Sequence, residues 1–428
     1  SNAESALTRG QVAQLVLNGL KAKMVDFTGD KGIQIGDVTV GYNAEYTPRT
    51  NASAEYNTID DGTTTILADN GQFYVQLGEE LYDGKLKLAN GSDDFERPSR
   101  VWSYDGQEIG TYAKKELIVG TYTKGVTGKE MYELLTAATI KEYDIYSYVD
   151  GGKGSIVEAN LTRANQNNLS DTGNGVLTEV YVDNNAKAIT FVSVNTWLAQ
   201  ATSDYNASSE LTTLKIFDSY DADKMVTNTT TQSVDAEDVP AVADLKKDDF
   251  VLVNQSIKDR TKLQVVAISD PEILQDCTVT AFSKSKEDQS NSFGADAKGL
   301  YESVTTGGQK YDGAKMANYD ASVLNEYDAD LLKDNSYNVY LDQYGYLIGL
   351  DLFEGTKNYV FITGYNRSVD SNISIETSQA AAIFLDGTIK PITVNVKDTN
   401  KNIQAVYNNT DYAPYFENTD PDEGNGLW

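Results

Sequence analysis

The sequence predicts a mainly β protein. It reads as several small antiparallel β domains, hairpin-built barrels or sandwiches, in tandem, with an N-terminal amphipathic helix and a few short helices. Three observations predict this. The stretch SYNVYLDQYGYLIGLDLF (Ser336 to Phe353) alternates apolar and polar residues on two arms around Asp342-Gln343-Tyr344-Gly345, the pattern of a hairpin with one face buried. The same unit recurs at Leu177 to Val194 and, with a longer connection, at Phe250 to Ile268. It recurs again with Asn-Gly or Asp-Gly turns at Thr65 to Leu77, Val101 to Tyr112 and Ala382 to Val396. Finally, the 28 Tyr outnumber the 12 Phe and 3 Trp, as sheet faces with an apolar body and a wet rim favour. At 428 residues the chain exceeds one ordinary core, so several domains are expected.

Taken in order, Ser1-Asn2-Ala3 reads as an expression remnant. Leu7 to Val25 predicts a helix, capped by Thr8 or Ser5. Its stripe of Val12, Leu15, Val16, Leu20 and Met24 should pack on the first β domain or on another chain. This places a helix in residues 4–27. Residues 28–150 read as a β-rich domain with hairpins at Ile33 to Val40, Thr65 to Leu77 and Val101 to Tyr112, and a short helix at Lys129 to Ala138. Gly151-Gly152-Lys153-Gly154 marks a joint, because clustered glycines hold regular structure poorly. Residues 151–270 form the next β domain, with a polar loop at 160–174 and a polar span from Asp218 to Asp238 between its hairpins. Pro271 opens a third, 271–356, with a Gly307-Gly308 turn and a helical run near Ala329 to Lys333. Residues 357–410 make a small β domain, and 411–428 an acidic tail or linker.

Several of these stretches carry a resemblance. ALTRGQVAQLVLNGLKA is similar to the second helix of an S-layer homology (SLH) motif: Thr8-Arg9 match its start, whereas Gly10-Gln11 depart from it and the first half of the motif is missing. DDFERPSRVWSYDGQEIGTYA, GNGVLTEVYVDNN, VSVNTWLAQATSDYN and VYLDQYGYLIGLD resemble the region that follows the SLH repeats in cell-surface proteins of anaerobic Gram-positive bacteria. The resemblance implies an exported, wall-associated surface protein. Its upstream SLH motifs would bind a cell-wall polysaccharide, and its neighbours would include other S-layer subunits. Thr8 and Arg9 would then be a wall-binding remnant of the last motif, not functional alone.

Composition narrows the chemistry. With 64 acidic and 35 basic residues the net charge is −29, a field that repels nucleic acid and anionic lipid. No apolar run approaches the roughly 18 residues of a membrane-spanning helix. Histidine is absent, which removes the commonest general base and the Ser-His-Asp and Cys-His systems. Cys277 stands alone and reads as a small hydrophobe, while Trp102 and Trp197 read as core anchors. No cofactor is required. Two acidic clusters have calcium chemistry: Asp218, Asp221 and Asp223, and Asp420 and Asp422. Neither completes an EF-hand loop, and polar loops explain both as well. Together with the resemblance, which implies a surface protein, this makes a non-catalytic structural component of the cell surface the expected function. The alternatives are a carbohydrate-binding or adhesive module working through Tyr and Trp platforms, and a polysaccharide hydrolase, which needs only two carboxylates.

Overall fold

The computed structural model describes residues 9–30, 33–40, 44–51, 58–59, 68–221, 226–284, 301–319, 336–353, 360–365, 370–372, 375–384 and 387–395. It is mainly β, with small sheets in tandem and few short helices. The chain divides into two compact units, Ser1–Phe353 and Glu354–Trp428.

The first unit opens with helix α1 (Arg9–Leu20). Val12, Leu15 and Val16 are exposed, and only Leu20 of the expected stripe reaches a core, that of Ile59, Leu86 and Leu88. Met24 is not helical, because the backbone of Lys23 and Met24 pairs with Val75 and Gln76 instead. Strands β1 (Val25–Asp30), β2 (Ile33–Ile35), β3 (Val38–Val40) and β4 (Ala44–Pro48) pair as β1–β4 and β2–β3. β5 (Thr50–Asn51) pairs with β6 (Phe73–Tyr74), ahead of α2 (Leu77–Leu81). The turn at Asn70-Gly71 is present, but the strand expected before it lies outside the described residues. The buried Glu79 carboxylate accepts from the backbone N–H of Gln76 and of Thr58, both at 2.8 Å, and so ties a distant segment to the start of α2. β7 (Leu86–Ser92), β8 (Pro98–Tyr104) and β9 (Gln107–Ala113) form an antiparallel meander that turns at Asp105-Gly106, as expected.

β10 (Ile118–Tyr122) leads to α3 (Gly128–Leu135) and α4 (Ala137–Glu142). Thr127 and Glu130 cap α3 reciprocally. β11 (Asp144–Val149), β12 (Gly152–Lys153), β13 (Leu177–Asp183) and β14 (Ala188–Val194) complete a five-stranded sheet, ordered β10-β13-β14-β11-β12. Here the expected domain boundary is corrected. β11 pairs in parallel with β14, so one sheet runs through Gly151–Gly154. Asp150 and Gly151 both take positive φ and make a tight turn between β11 and β12. A side chain at Gly151 would run into the Asp94 carbonyl and the Ser256 hydroxyl. The glycine serves close packing, not a linker. One face of this sheet packs Val180, Ile189 and Phe191 against Met131, Leu135 and Ile140 of the helices.

β15 (Trp197–Ala201), β16 (Leu211–Asp221), β17 (Val226–Asp235), β18 (Phe250–Ser256) and β19 (Gln264–Ser269) form a second five-stranded sheet, ordered β17-β16-β15-β18-β19. The described part of the polar span expected between the hairpins lies mostly at the end of β16 and along β17. Its Thr227, Thr229, Thr230 and Thr231 are polar but β-branched, and so favour a strand. The sheet curls around Trp197, Leu214, Ile216, Val251 and Val253. Its two edges meet through Gln232 of β17: Oε1 accepts from Val265 N–H at 3.1 Å, and Nε2 donates to the Leu263 carbonyl at 3.3 Å.

β20 (Glu272–Cys277), β24 (Tyr337–Leu341) and β25 (Leu347–Leu352) form one three-stranded sheet, and β21 (Val279–Lys284), β22 (Tyr301–Thr306) and β23 (Gln309–Asp312) another. They share a core of Val279, Val304, Tyr337 and Val339, against which Cys277 packs half-buried. A second core crosses the expected joint at Pro271: Leu198, Phe217 and Leu252 pack with Tyr340 and Ile348. The helical run near Ala329 lies outside the described residues.

In the second unit, β28 (Ile375–Phe384) pairs with β26 (Val360–Tyr365), β27 (Asp370–Asn372) and β29 (Ile389–Asn395), burying Ala380 and Ala382. The tail, 411–428, lies outside the described residues.

Candidate functional site

The most developed polar site is a cleft of about 570 Å³ where the β7–β8 turn meets the β18–β19 turn. Sequence-local chemistry builds its first wall. Asp93 Oδ1 accepts from the backbone N–H of Phe95 and of Arg97, both at 3.0 Å, which fixes the turn. Its other oxygen accepts from Arg97 Nη1 at 3.2 Å. Arg97 Nε then donates to Glu179 Oε2 on β13 at 2.6 Å, and the Tyr181 hydroxyl donates to the same oxygen at 3.0 Å. Burial alone would lower the Arg97 pKa, but Glu179 and Asp93 outweigh it and hold the guanidinium above its usual range. Burial also pushes the Tyr181 phenol up, with the Glu179 charge adding to it.

The facing wall comes from the β18–β19 turn. Lys258 Nζ donates to Ser92 O at 2.7 Å, Ser92 Oγ at 2.9 Å and Asp93 O at 2.8 Å, so all its protons are committed. Arg260 grips Asp94 Oδ1 at 3.1 and 3.2 Å, and Ser256 Oγ donates to the Asp94 carbonyl at 2.6 Å. Glu108 accepts from Thr111 at 2.6 Å. The cations of this cleft are spent on the opposite wall. The arrangement clamps two modules together.

Behind the clamp lies a buried polar hub. Asp150 accepts from Asn195 N–H at 2.8 Å and from Asn195 Nδ2 at 2.6 Å, while its carbonyl accepts from Ile257 N–H at 2.8 Å. Burial raises the Asp150 carboxyl to about 6, against the lowering effect of those bonds. Asp171 accepts from Ser155 N–H and Oγ, both at 2.6 Å, and from Ser147 Oγ at 3.1 Å. Lys315 donates to the Ser170 carbonyl at 2.7 Å; burial lowers its pKa, with Asp171 and Asp150 opposing. Asp342 uses Oδ1 to hold Tyr344 N–H at 2.8 Å and Tyr346 N–H at 2.9 Å in the β24–β25 turn. Its buried Oδ2 has no hydrogen-bond partner, and burial raises its pKa.

The residues singled out in the sequence fall elsewhere. Thr8 lies outside the described residues, and Arg9 opens α1. Asp218 is exposed on β16 and accepts from Thr230 Oγ1 at 3.1 Å. Asp221 closes that strand, whereas Asp223, Asp420 and Asp422 lie outside the described residues. Among the described residues no three His, Cys, Asp or Glu side chains are grouped to hold a metal. Among them, too, no helix is long and apolar enough to cross a membrane, which says nothing of strands. Trp197 is buried in the curled sheet, and Trp102 packs half-buried against Ile59, Leu86 and Leu88. Arg97, Glu179, Lys258 and Asp150 carry the site and were not singled out. Asp150-Gly151 was legible as a turn dipeptide, but the neighbouring glycines favoured a linker. Comparison with known protein families, curated proteins and solved structures finds no match to this chain.

Proposed function

We propose that the chain is a non-catalytic structural component of a bacterial cell surface, an outward-facing region held to the wall by SLH motifs. The resemblance of its sequence segments supplies the class. The observation that supports it most is the clamp: Arg97 with Glu179, and Lys258 with Ser92 and Asp93, fasten the β7–β9 meander onto two other sheets. The polar groups of the clamp thus bind modules to one another. Such a body resists separation of its parts, which suits a scaffold. Placement outside the cell and contacts with neighbouring subunits belong to the same proposal.

A pull-down with purified cell-wall sacculi tests it. The chain alone should stay in the supernatant, and the same chain carrying three SLH motifs at its N-terminus should sediment. Sedimentation of the chain alone would replace the scaffold with the carbohydrate-binding reading. The exposed Tyr104, Tyr112 and Tyr146 would then be the first residues to mutate. Against that reading, Tyr104 meets Tyr82 edge-on, with ring planes at 82°, rather than as part of a flat platform.

A further inference from the structure

Thr136, at a φ of 65°, breaks the helix between α3 and α4. The segment 156–162 packs beside that break and sends Ile156 and Leu161 into the core that also holds Ile140. Val157, next in the same segment, is left 53% exposed. A cavity of about 500 Å³ lies between the two helices and this segment. Its most buried lining residues are Ile140 and Leu161, and Tyr132 and Val157 add further apolar surface. A hollow of this volume and lining suits a small molecule.

The charges around it are unevenly spent. On the same helices Glu133 pairs with Lys129, Glu142 pairs with Lys187, and Glu130 accepts from Thr127 N–H at 2.7 Å. Lys141, in the last turn of α4, lines the cavity. Arg163 follows the lining residue Thr162, and its guanidinium sits 5.8 Å from the centre of the Tyr132 ring. Among the described residues neither cation forms an ion pair. One carboxylate, Glu158, lines the cavity among those residues. Two unpaired cations and one carboxylate therefore frame an apolar hollow, on a chain whose net charge is −29.

We propose that this cavity binds a small organic carboxylate: its apolar body on Ile140, Leu161 and Val157, its charge toward Lys141 and Arg163. A monoanion matches the local surplus of one positive charge. A neutral body of the same shape gains only the burial, and an ammonium meets two like charges. The site is open to water, so the charge term is modest and the affinity is on the order of 0.1–1 mM. The proposal stands apart from the scaffold reading and uses none of the clamp residues.

Equilibrium dialysis of the full chain in about 0.15 M sodium chloride, where long-range fields are screened, tests it. The probes are 2-naphthoate, the neutral 2-naphthamide and 2-naphthylmethylammonium. The chain as a whole attracts cations, so a preference for the anion has to arise locally. Naphthoate should bind once per chain, at least about threefold tighter than the amide and about tenfold tighter than the ammonium. The double variant Lys141→Glu, Arg163→Glu alters two exposed side chains and should reverse that order. Ala159→Trp, on an exposed lining residue, should fill the cavity and abolish binding of all three. Absence of saturable naphthoate binding, an ammonium bound as tightly as naphthoate, or variants that keep the wild-type pattern would each overturn the proposal. Wall binding is not read here, so this proposal and the scaffold reading fail separately.

Discussion

Asp150 shows how one side chain can set a pH dependence. Its folded value of about 6 lies above the ordinary 3.8, so between those values the folded chain holds more protons than the unfolded one. Stability from this group therefore falls as pH rises through that window, by about 3 kcal/mol when complete. Asp342, raised by burial, acts with the same sign. Glu116 and Glu130 act oppositely. Desolvation at Glu116 is outweighed by the Arg100 hydrogen bond, and backbone and side-chain bonds from Thr127 lower Glu130. Their contribution is lost as pH drops below the usual carboxylate range. The melting temperature should thus peak at about pH 5. Asp150→Asn should flatten the alkaline side of that peak. Asn tolerates the residue's φ of 49°, and a flipped Asn195 amide would turn its partnerless, buried Oδ1 toward the new donor. At pH 7 the variant should gain on the order of 1–3 kcal/mol in urea titrations. An unchanged pH profile would remove Asp150 as its source.

Among the elements, Gln232 closes the second five-stranded sheet with a side-chain amide in place of a backbone rung. Gln232→Ala leaves the Val265 N–H and the Leu263 carbonyl without that partner and should cost about 1–3 kcal/mol. Gln232→Glu keeps the acceptor but loses the donor and sets a charge beside the Gln255 Oε1 and Leu263 oxygens, so it should cost more. Hydrogen exchange at the Val265 amide measures both, and protection equal to wild type would refute the latch. The hairpins were legible because alternation and an Asp-Gly or Asn-Asn turn are local signals; Val101 to Tyr112 and Leu177 to Val194 fold as read. What joins hairpins was not legible. The β11–β14 pairing is parallel and links segments about forty residues apart, and no local pattern encodes it. The clamp shares that limit, since Arg97 and Glu179 are ordinary charges until the fold brings them together. β17 was misread because its threonines look polar in composition while their branching favours a strand.

For the whole molecule, the net charge of −29 is the dominant fact. Self-repulsion opposes compactness, so added sodium chloride should raise the melting temperature by screening. Calcium at matched ionic strength should raise it further if the proposed acidic clusters, mostly outside the described residues, bind it in the folded chain. Equal shifts with both salts, read by calorimetry, would leave screening alone and retire those clusters.

The order β10-β13-β14-β11 has a consequence in time as well as space. A ribosome releases β10 and β11 first, yet the two never touch along the sheet's edges. They flank a gap that only the β13–β14 hairpin, made later, can fill. Apart from the short β12 rungs on β11, the early strands must wait for a wedge that arrives from downstream. Non-local closure of this kind is slow. The meander of β7 to β9 needs no such delay, because each of its strands finds its partner in the next residues to emerge.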